Sequence, residues 1–266
     1  MKLDLYQIDA FSNKVLKGNP AAVIPLQAWL PDAVLQAIAN ENNLSETVYF
    51  VKNNDTHSYE IRWFTPLNEV KLCGHATLAC AYVLFEKLKY PGHEIRFSSL
   101  SGPLSVVKYD NGWLELDFPT QAPEPCAVPP VMYDAFNAQP VACLKSEDYV
   151  VVFENEEQIL HAQPNYALLE SLDLRGVAIT SQSASYDFVT RFFAPKYGIK
   201  EDPVTGSAFT QLIPYWSKVL KQYEFTAKQV SARSGEVKCR LLGDRVKIAG
   251  QAALYMQGTM YLDDLE

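Results

Sequence analysis

The chain is poor in the features that mark many protein classes. Nowhere among its 266 residues does an uncharged apolar stretch approach the roughly 18 residues of a membrane-spanning helix. The start, MKLDLYQIDAF, lacks the roughly 7–15-residue apolar run of a secretory signal, because Asp4 interrupts it early. Cysteine is sparse. The five (Cys73, Cys80, Cys126, Cys143, Cys239) are odd in number and lack CxxC spacing, so reduced thiols in a cytoplasmic protein are expected. Of the four histidines, His57, His93 and His161 stand alone without metal-ligand spacing. Cys73 and Cys80 fall about 10 Å apart along one predicted helix, too far to share a zinc ion. No GxSxG is present, so a hydrolase nucleophile elbow is unsupported. The absence of GxGxxG and GxxxxGK[ST] removes support for nucleotide binding. Positive charge is also short: 23 Lys and Arg against 31 Asp and Glu leave a net charge of −8. Such a surface repels phosphate backbones and anionic lipid, which excludes nucleic acid and membrane as expected partners. It is compatible with a local pocket for a small anion.

What is present is ordinary globular material, 48% hydrophobic and 20% charged, written twice. Arg62-Trp63-Phe64-Thr65-Pro66 aligns with Arg191-Phe192-Phe193-Ala194-Pro195. Glu69 through Cys73-Gly74-His75-Ala76 aligns with Glu201 through Thr205-Gly206-Ser207-Ala208, the two glycines standing 132 positions apart. Ser101-Gly102 matches Ser234-Gly235, each opening a stretch of alternating apolar residues. Strand–turn–helix grammar is common, but the aromatic–proline and glycine–small–alanine signatures are more particular than grammar requires. Two homologous domains are therefore expected. Pro119, Pro123, Pro125, Pro129 and Pro130 forbid a continuous helix or central strand between Phe118 and Pro130, and the boundary is placed there. The expected division is 1–118, completed by the C-terminal segment 252–266, and 119–251.

Alternation and β-branched or aromatic content predict strands over Leu3–Phe11, Ala21–Ile24, Thr47–Val51, Tyr59–Phe64, Arg96–Ser99, Leu104–Lys108 and Leu114–Phe118. In the second half they predict strands near Tyr149–Phe153, Val177–Ile179 and Phe188–Phe193. Pro31–Ala39 reads as a helix with proline at its start. His75–Leu88 and Ser207–Leu220 read as helices apolar on nearly every side, hence surrounded by protein. Pro214 should kink the second or weaken one of its turns. Few helices follow strands, so the expected class is α+β: mostly antiparallel strands curled around one central helix per domain.

Both central helices begin at Gly–small–Ala. A helix N-terminus offers free N–H groups and a partial positive charge, and Gly74 and Gly206 let a ligand approach the backbone closely. Two such starts without a phosphate-loop lysine suggest a carboxylate ligand. Cys73, His75 and Asp202 stand beside them and could move protons. Each also has a structural reading: a small buried hydrophobe, a satisfied ring, an acid favoured by the helix dipole. Glu46 precedes the apolar strand TVYFV. It is either an exposed strand end or a carboxylate placed in a cleft, where burial would raise its pKa toward the acid–base range.

At Asp9-Ala10-Phe11, Gly18-Asn19-Pro20-Ala21-Ala22-Val23, Leu44-Ser45-Glu46-Thr47, Arg62-Trp63-Phe64-Thr65-Pro66, Cys73-Gly74-His75-Ala76-Thr77 and Glu201-Asp202-Pro203-Val204-Thr205-Gly206-Ser207-Ala208, the chain resembles the phenazine-biosynthesis isomerase-like (PhzF-like) family of the diaminopimelate epimerase superfamily. The resemblance implies a diaminopimelate epimerase-like fold of two duplicated domains, with the active site in the cleft between them. It further implies a homodimer with neither metal nor organic cofactor. It matches Glu46 to the general acid–base residue that moves a proton on a small dihydroaromatic or amino-acid-like carboxylic acid. His75 and Asp202 match residues that flank the reacting atoms. Gly74, Gly206 and Ser207 match the helix starts that hold the substrate carboxylate, which Cys73 adjoins, while Ser45 adjoins Glu46 and would orient it. Superfamily epimerases place a thiol at each helix start, whereas here the second position is Thr205, too weak an acid to substitute. A two-thiol racemase is thereby disfavoured. A one-thiol racemase using Cys73, and a small-molecule binding protein without turnover, are the competing readings.

Overall fold

The computed structural model describes residues 1–53 and 58–262, so His57 lies outside them. Contacts divide the chain into two units, Met1–Asp117 with Ala249–Glu266, and Phe118–Ile248. The first boundary falls at the head of the proline-rich segment. The return to the first unit comes at Ala249 rather than residue 252.

The first unit opens with β1 (Lys2–Ala10) antiparallel to β2 (Asn19–Leu26). Helix α1 (Asp32–Asn42) then returns the chain to β3 (Glu46–Lys52), parallel to β2 with Ala21 opposite Glu46. Next, β4 (Ser58–Phe64) lies antiparallel to β3, and β5 (Glu69–Val70) is antiparallel to β4. Helix α2 (Gly74–Tyr82) follows, then β6 (Glu94–Ser99) parallel to β4, β7 (Gly102–Lys108) antiparallel to β6, and β8 (Leu114–Pro119) antiparallel to β7. As its composition requires, α2 is buried from His75 through Ala81 and rests on β1, β2 and β3. The helix expected to reach Leu88 instead widens into a π turn over Val83–Lys87, where the Leu88 N–H bonds the Val83 carbonyl at 2.9 Å.

The second unit repeats this order of pairings. After β9 (Glu124–Pro125) and α3 (Val131–Ala135), β10 (Ala142–Lys145) runs antiparallel to β11 (Tyr149–Val152). Helices α4 (Glu156–Leu160) and α5 (Tyr166–Glu170) lead to β12 (Val177–Gln182), parallel to β11. Then β13 (Phe188–Ala194) is antiparallel to β12, and β14 (Ile199–Asp202) to β13. After α6 (Gly206–Leu220), β15 (Glu224–Gln229) returns parallel to β13, with β16 (Gly235–Leu242) antiparallel to β15. The chain closes with β17 (Arg245–Gly250) and β18 (Ala252–Tyr261), the latter antiparallel to β1. The second unit also carries three short helices that the sequence pattern did not predict. The five-residue α3, α4 and α5 pack Met132, Ala135, Ile159 and Leu169 against Val151, Ile179 and Phe193, and bury too few positions each to show a period.

The aligned arginines explain why their motif recurs. Arg62 donates from Nε and Nη2 to Glu69, both at 2.7 Å, and lies over the Phe64 ring at 5.1 Å. Arg191 donates in the same way to Glu201 at 2.7 and 3.0 Å and lies over Phe193 at 5.1 Å. In each unit a bidentate, half-buried pair ties the strand before the central helix to the short strand that leads into it. Pro214 also has a specific accommodation. It leaves the Thr210 carbonyl without its helical donor, and the Gln121 N–H fills that place at 3.0 Å, so α6 continues as one element. Among the described residues no helix is long and apolar enough to cross a membrane.

Candidate active site

The first unit gathers four polar side chains at the start of α2. Glu46 opens β3 with its side chain 12% exposed, and His75, at the second position of α2, is 6% exposed. Oε2 of Glu46 stands 3.1 Å from Nε2 of His75. The two groups face each other as an ion pair, and beyond that mutual contact neither buried atom has a hydrogen-bond partner among the described residues. Desolvating such a pair is costly when few further hydrogen bonds offset it. The strand-end alternative for Glu46 is set aside by this burial.

The other ring nitrogen of His75 is held from behind. Asn19, fully buried at the start of β2, places its amide nitrogen 3.2 Å from Nδ1, and the Cys73 sulfur lies 3.5 Å from the same atom. A carboxamide carries a donor at one end and an acceptor at the other. Turned one way it donates to the neutral ring; turned the other, its oxygen accepts from the protonated ring. Asn19 thus suits both states through which a proton carrier passes. Burial opposes protonation of His75, but the neighbouring Cys73 and Glu46 favour it more strongly, and its pKa lies well above the ordinary histidine value. Burial, aided by Glu46, pushes the Cys73 thiol up. Glu46, Cys73 and His75 also bring three potential ligand atoms within 4.8 Å of one another, a set that sequence spacing did not reveal.

Asn19 owes its position to the loop that precedes it. Gly18 adopts φ +66°, and a Cβ there would lie 2.1 Å from the Ala10 carbonyl oxygen. The buried Asp9 accepts the Leu16 N–H at 2.7 Å and closes the same loop. The Asp9-Ala10-Phe11 and Gly18-Asn19-Pro20 segments therefore serve one end, the support of the His75 ring. Ser45 precedes Glu46 and is half-buried, and Gly74 is the first residue of α2.

In the second unit Asp202 ends β14 and accepts a hydrogen bond from the Thr205 hydroxyl at 2.6 Å. Thr205 is committed further: its N–H donates to the buried Gln229 at 2.9 Å, whose amide nitrogen reaches the Asp202 carbonyl at 2.7 Å. Gly206 and Ser207 begin α6. Ser207 Oγ accepts from Nη2 of Arg175 at 3.0 Å. The same guanidinium grips the fully buried Asp148 at 2.9 and 2.6 Å, and Gln211 adds a third bond to that carboxylate at 2.6 Å. Sequence reasoning passed over Asp148, Arg175, Gln211 and Gln229, and quoted Asn19 without a role. The available signal was a charge at the mouth of an apolar strand, as Asp148 stands before YVVV and Arg175 before Val177–Ile179.

The phenazine biosynthesis-like protein family model matches residues 8–258. An uncharacterized isomerase of Pseudomonas aeruginosa is 49% identical over 98% of this chain and all of its own length. The crystal structure of a PhzF-family phenazine biosynthesis protein from Enterococcus faecalis superposes with a TM-score of 0.96 at 45% identity, over 98% of this chain and 100% of that one. A hydroxyproline epimerase from Agrobacterium vitis, at 10% identity and a TM-score of 0.61 over 99% of this chain and 94% of its own, shares the fold alone. Fold and relatives define an enzyme of the isomerase class with an epimerase-like α+β fold. The chain belongs to the phenazine biosynthesis-like family.

Proposed function

We propose that the protein is a cofactor-independent isomerase that moves a proton between carbons of a small carboxylic acid, with Glu46 as general acid–base. The observation that carries this reading is the buried Glu46–His75 pair, 3.1 Å apart, whose facing atoms have no further hydrogen-bond partner among the described residues. A carboxylate at that position takes a proton from one carbon and returns it to another. His75 shares the proton, and the Asn19 amide serves the ring in either state. Asp202 is assigned a flanking role in binding or proton sharing. Gly74, Gly206 and Ser207 are assigned to the substrate carboxylate, supported by the N–H groups that a helix start leaves without internal partners. Ser45 is assigned to orienting Glu46. A dihydroaromatic or amino-acid-like substrate, a homodimer, a cytoplasmic setting and an origin by internal duplication belong to the same reading. The recurring order of strand pairings supports the last of these.

The competing use of Cys73 as a lone racemase thiol has its own observation, the 3.5 Å contact with His75. Two features weigh against it. Burial holds Cys73 toward the thiol form, and the partner position is Thr205, whose hydroxyl already donates to Asp202. A binding protein without turnover would bind the carboxylates of the test panel and introduce no deuterium into them.

The test is proton exchange in D₂O, followed by NMR, over a panel of small cyclic and amino-acid carboxylates. Wild type should introduce deuterium at a carbon, and Glu46→Gln should slow this by about 10²–10⁴-fold. Full exchange in the variant overturns the assignment of Glu46. Loss of exchange in Cys73→Ala with Glu46 intact would favour the thiol.

A further inference from the structure

We infer that the Asp148–Arg175 pair is a positioning device that makes Ser207 a one-way hydrogen-bond donor to the substrate carboxylate. The inference rests on the assignment of Ser207 under the proposed function. Its physical basis is the arithmetic of donors. A guanidinium has five N–H donors and no acceptor. When Arg175 Nη2 bonds Ser207 Oγ at 3.0 Å, the serine oxygen must accept. The hydroxyl hydrogen then points elsewhere, and no protein group among the described residues receives it. A serine at the second position of a 15-residue helix, with its oxygen held and its hydrogen free, is prepared for an acceptor-only ligand.

The clamp is rigid enough for this task. Asp148 is fully buried and takes two bonds from Arg175 and one from Gln211, while its own N–H donates to Gln211 at 3.1 Å. Glu147 meets Nη1 of Arg175 at 3.3 Å. Burial disfavours the arginine charge, but its bonds to Asp148, then the nearby Glu147 and Asp202, hold its pKa above the ordinary value. With these three carboxylates around it, Arg175 is not itself the counter-charge for an incoming anion. It acts by fixing a direction. The corresponding place in the first unit, the second residue of α2, belongs to His75, which Asn19 contacts from one side and Glu46 faces from the other. The repeated framework thus carries proton chemistry at one helix start and anion orientation at the other.

The experiment compares benzoate with benzamide, a pair that differs in acceptor-only against mixed hydrogen-bonding character, by calorimetric or NMR titration. Wild type should bind benzoate more tightly. Ser207→Ala and Arg175→Gln should each weaken benzoate roughly ten- to hundredfold, weaken benzamide, whose neutral carbonyl accepts a weaker bond, by much less, and show little added effect when combined. Because Arg175→Gln alone strands a buried carboxylate, the paired variant Asp148→Asn/Arg175→Gln, checked by thermal melting, removes both charges together and should lose the same selectivity. If Ser207→Ala loses selectivity while the folded paired variant keeps it, the inference fails and the assignment of Ser207 stands. If wild type or Ser207→Ala shows that the serine gives no preference for benzoate, the assignment itself fails, and the inference with it.

Discussion

Substitution of Gly18 by alanine should damage the proposed catalytic site from outside its set of titrating groups. Gly18 sits at φ +66°, a conformation that costs an L-residue about 1–2 kcal/mol. The added Cβ would stand 2.1 Å from the Ala10 carbonyl oxygen and 3.0 Å from the Ser12 Cβ. The first contact involves main chain and cannot be relieved by rotating a side chain, so the loop must move by about 1 Å. Together these effects should cost at least about 2 kcal/mol. For units of this size that lowers Tm by roughly 4–8 °C. The displacement begins one residue before Asn19, whose amide lies 3.2 Å from His75. A misplacement on the order of 1 Å in a catalytic constellation costs about 10²-fold in rate. The assays are calorimetry, deuterium exchange at a temperature where the variant remains folded, and ¹⁵N NMR of the His75 ring. A variant with wild-type melting, exchange and ring signals would refute the reasoning. A stability loss with unchanged ring signals would confine the role of Gly18 to folding.

Three further expectations concern the same framework. Asn19→Asp supplies only acceptors to Nδ1, so it should raise the His75 pKa further and slow exchange roughly tenfold or more; an unshifted ring titration would contradict the two-state role of the amide. His75 has a folded pKa above its unfolded value of about 6.5. The stability it contributes is therefore complete below that value and is lost as pH rises through the folded pKa; His75→Gln should flatten this part of a denaturation-versus-pH curve, and an unchanged curve would refute the pairing. Pro214→Ala restores an N–H to α6, but the carbonyl it would seek is already bonded to Gln121. Stability should change by less than about 1 kcal/mol, and a gain near the 3 kcal/mol cost of an interior proline would show that Gln121 does not compensate.

The long elements were legible because their patterns are physical requirements. An alternating strand such as β1, and a helix such as α2 that is apolar on all sides, can be satisfied in few environments. The short helices escaped notice because one or two buried residues cannot display a period. The π turn over Val83–Lys87 escaped because its residues suit an α-helix equally well. At the site, Gly74, His75, Gly206 and Ser207 were visible as helix starts, and Glu46 through resemblance. Their supports were not. Asn19, Asp148, Arg175 and Gln229 act through contacts 24 to 63 residues distant in sequence, from Thr205 and Gln229 to Asp148 and Gln211. No local pattern encodes such partners.

That blind spot has a consequence for how chemistry is distributed over a repeated framework. The residues that recur at matched positions, Arg62 with Glu69 and Arg191 with Glu201, hold strands to strands. Those that differ at matched positions, His75 against Ser207 and Cys73 against Thr205, are where the two units part in chemistry. Under the proposed function, the imidazole with a raised pKa would store a proton, and the serine pinned by a guanidinium would aim one without releasing it. Each function needs a buried polar support of a different kind, an amide able to reverse beside His75 and a cation unable to accept beside Ser207. Repetition therefore reveals the scaffold, and departure from it marks the residues to which the proposed chemistry is assigned.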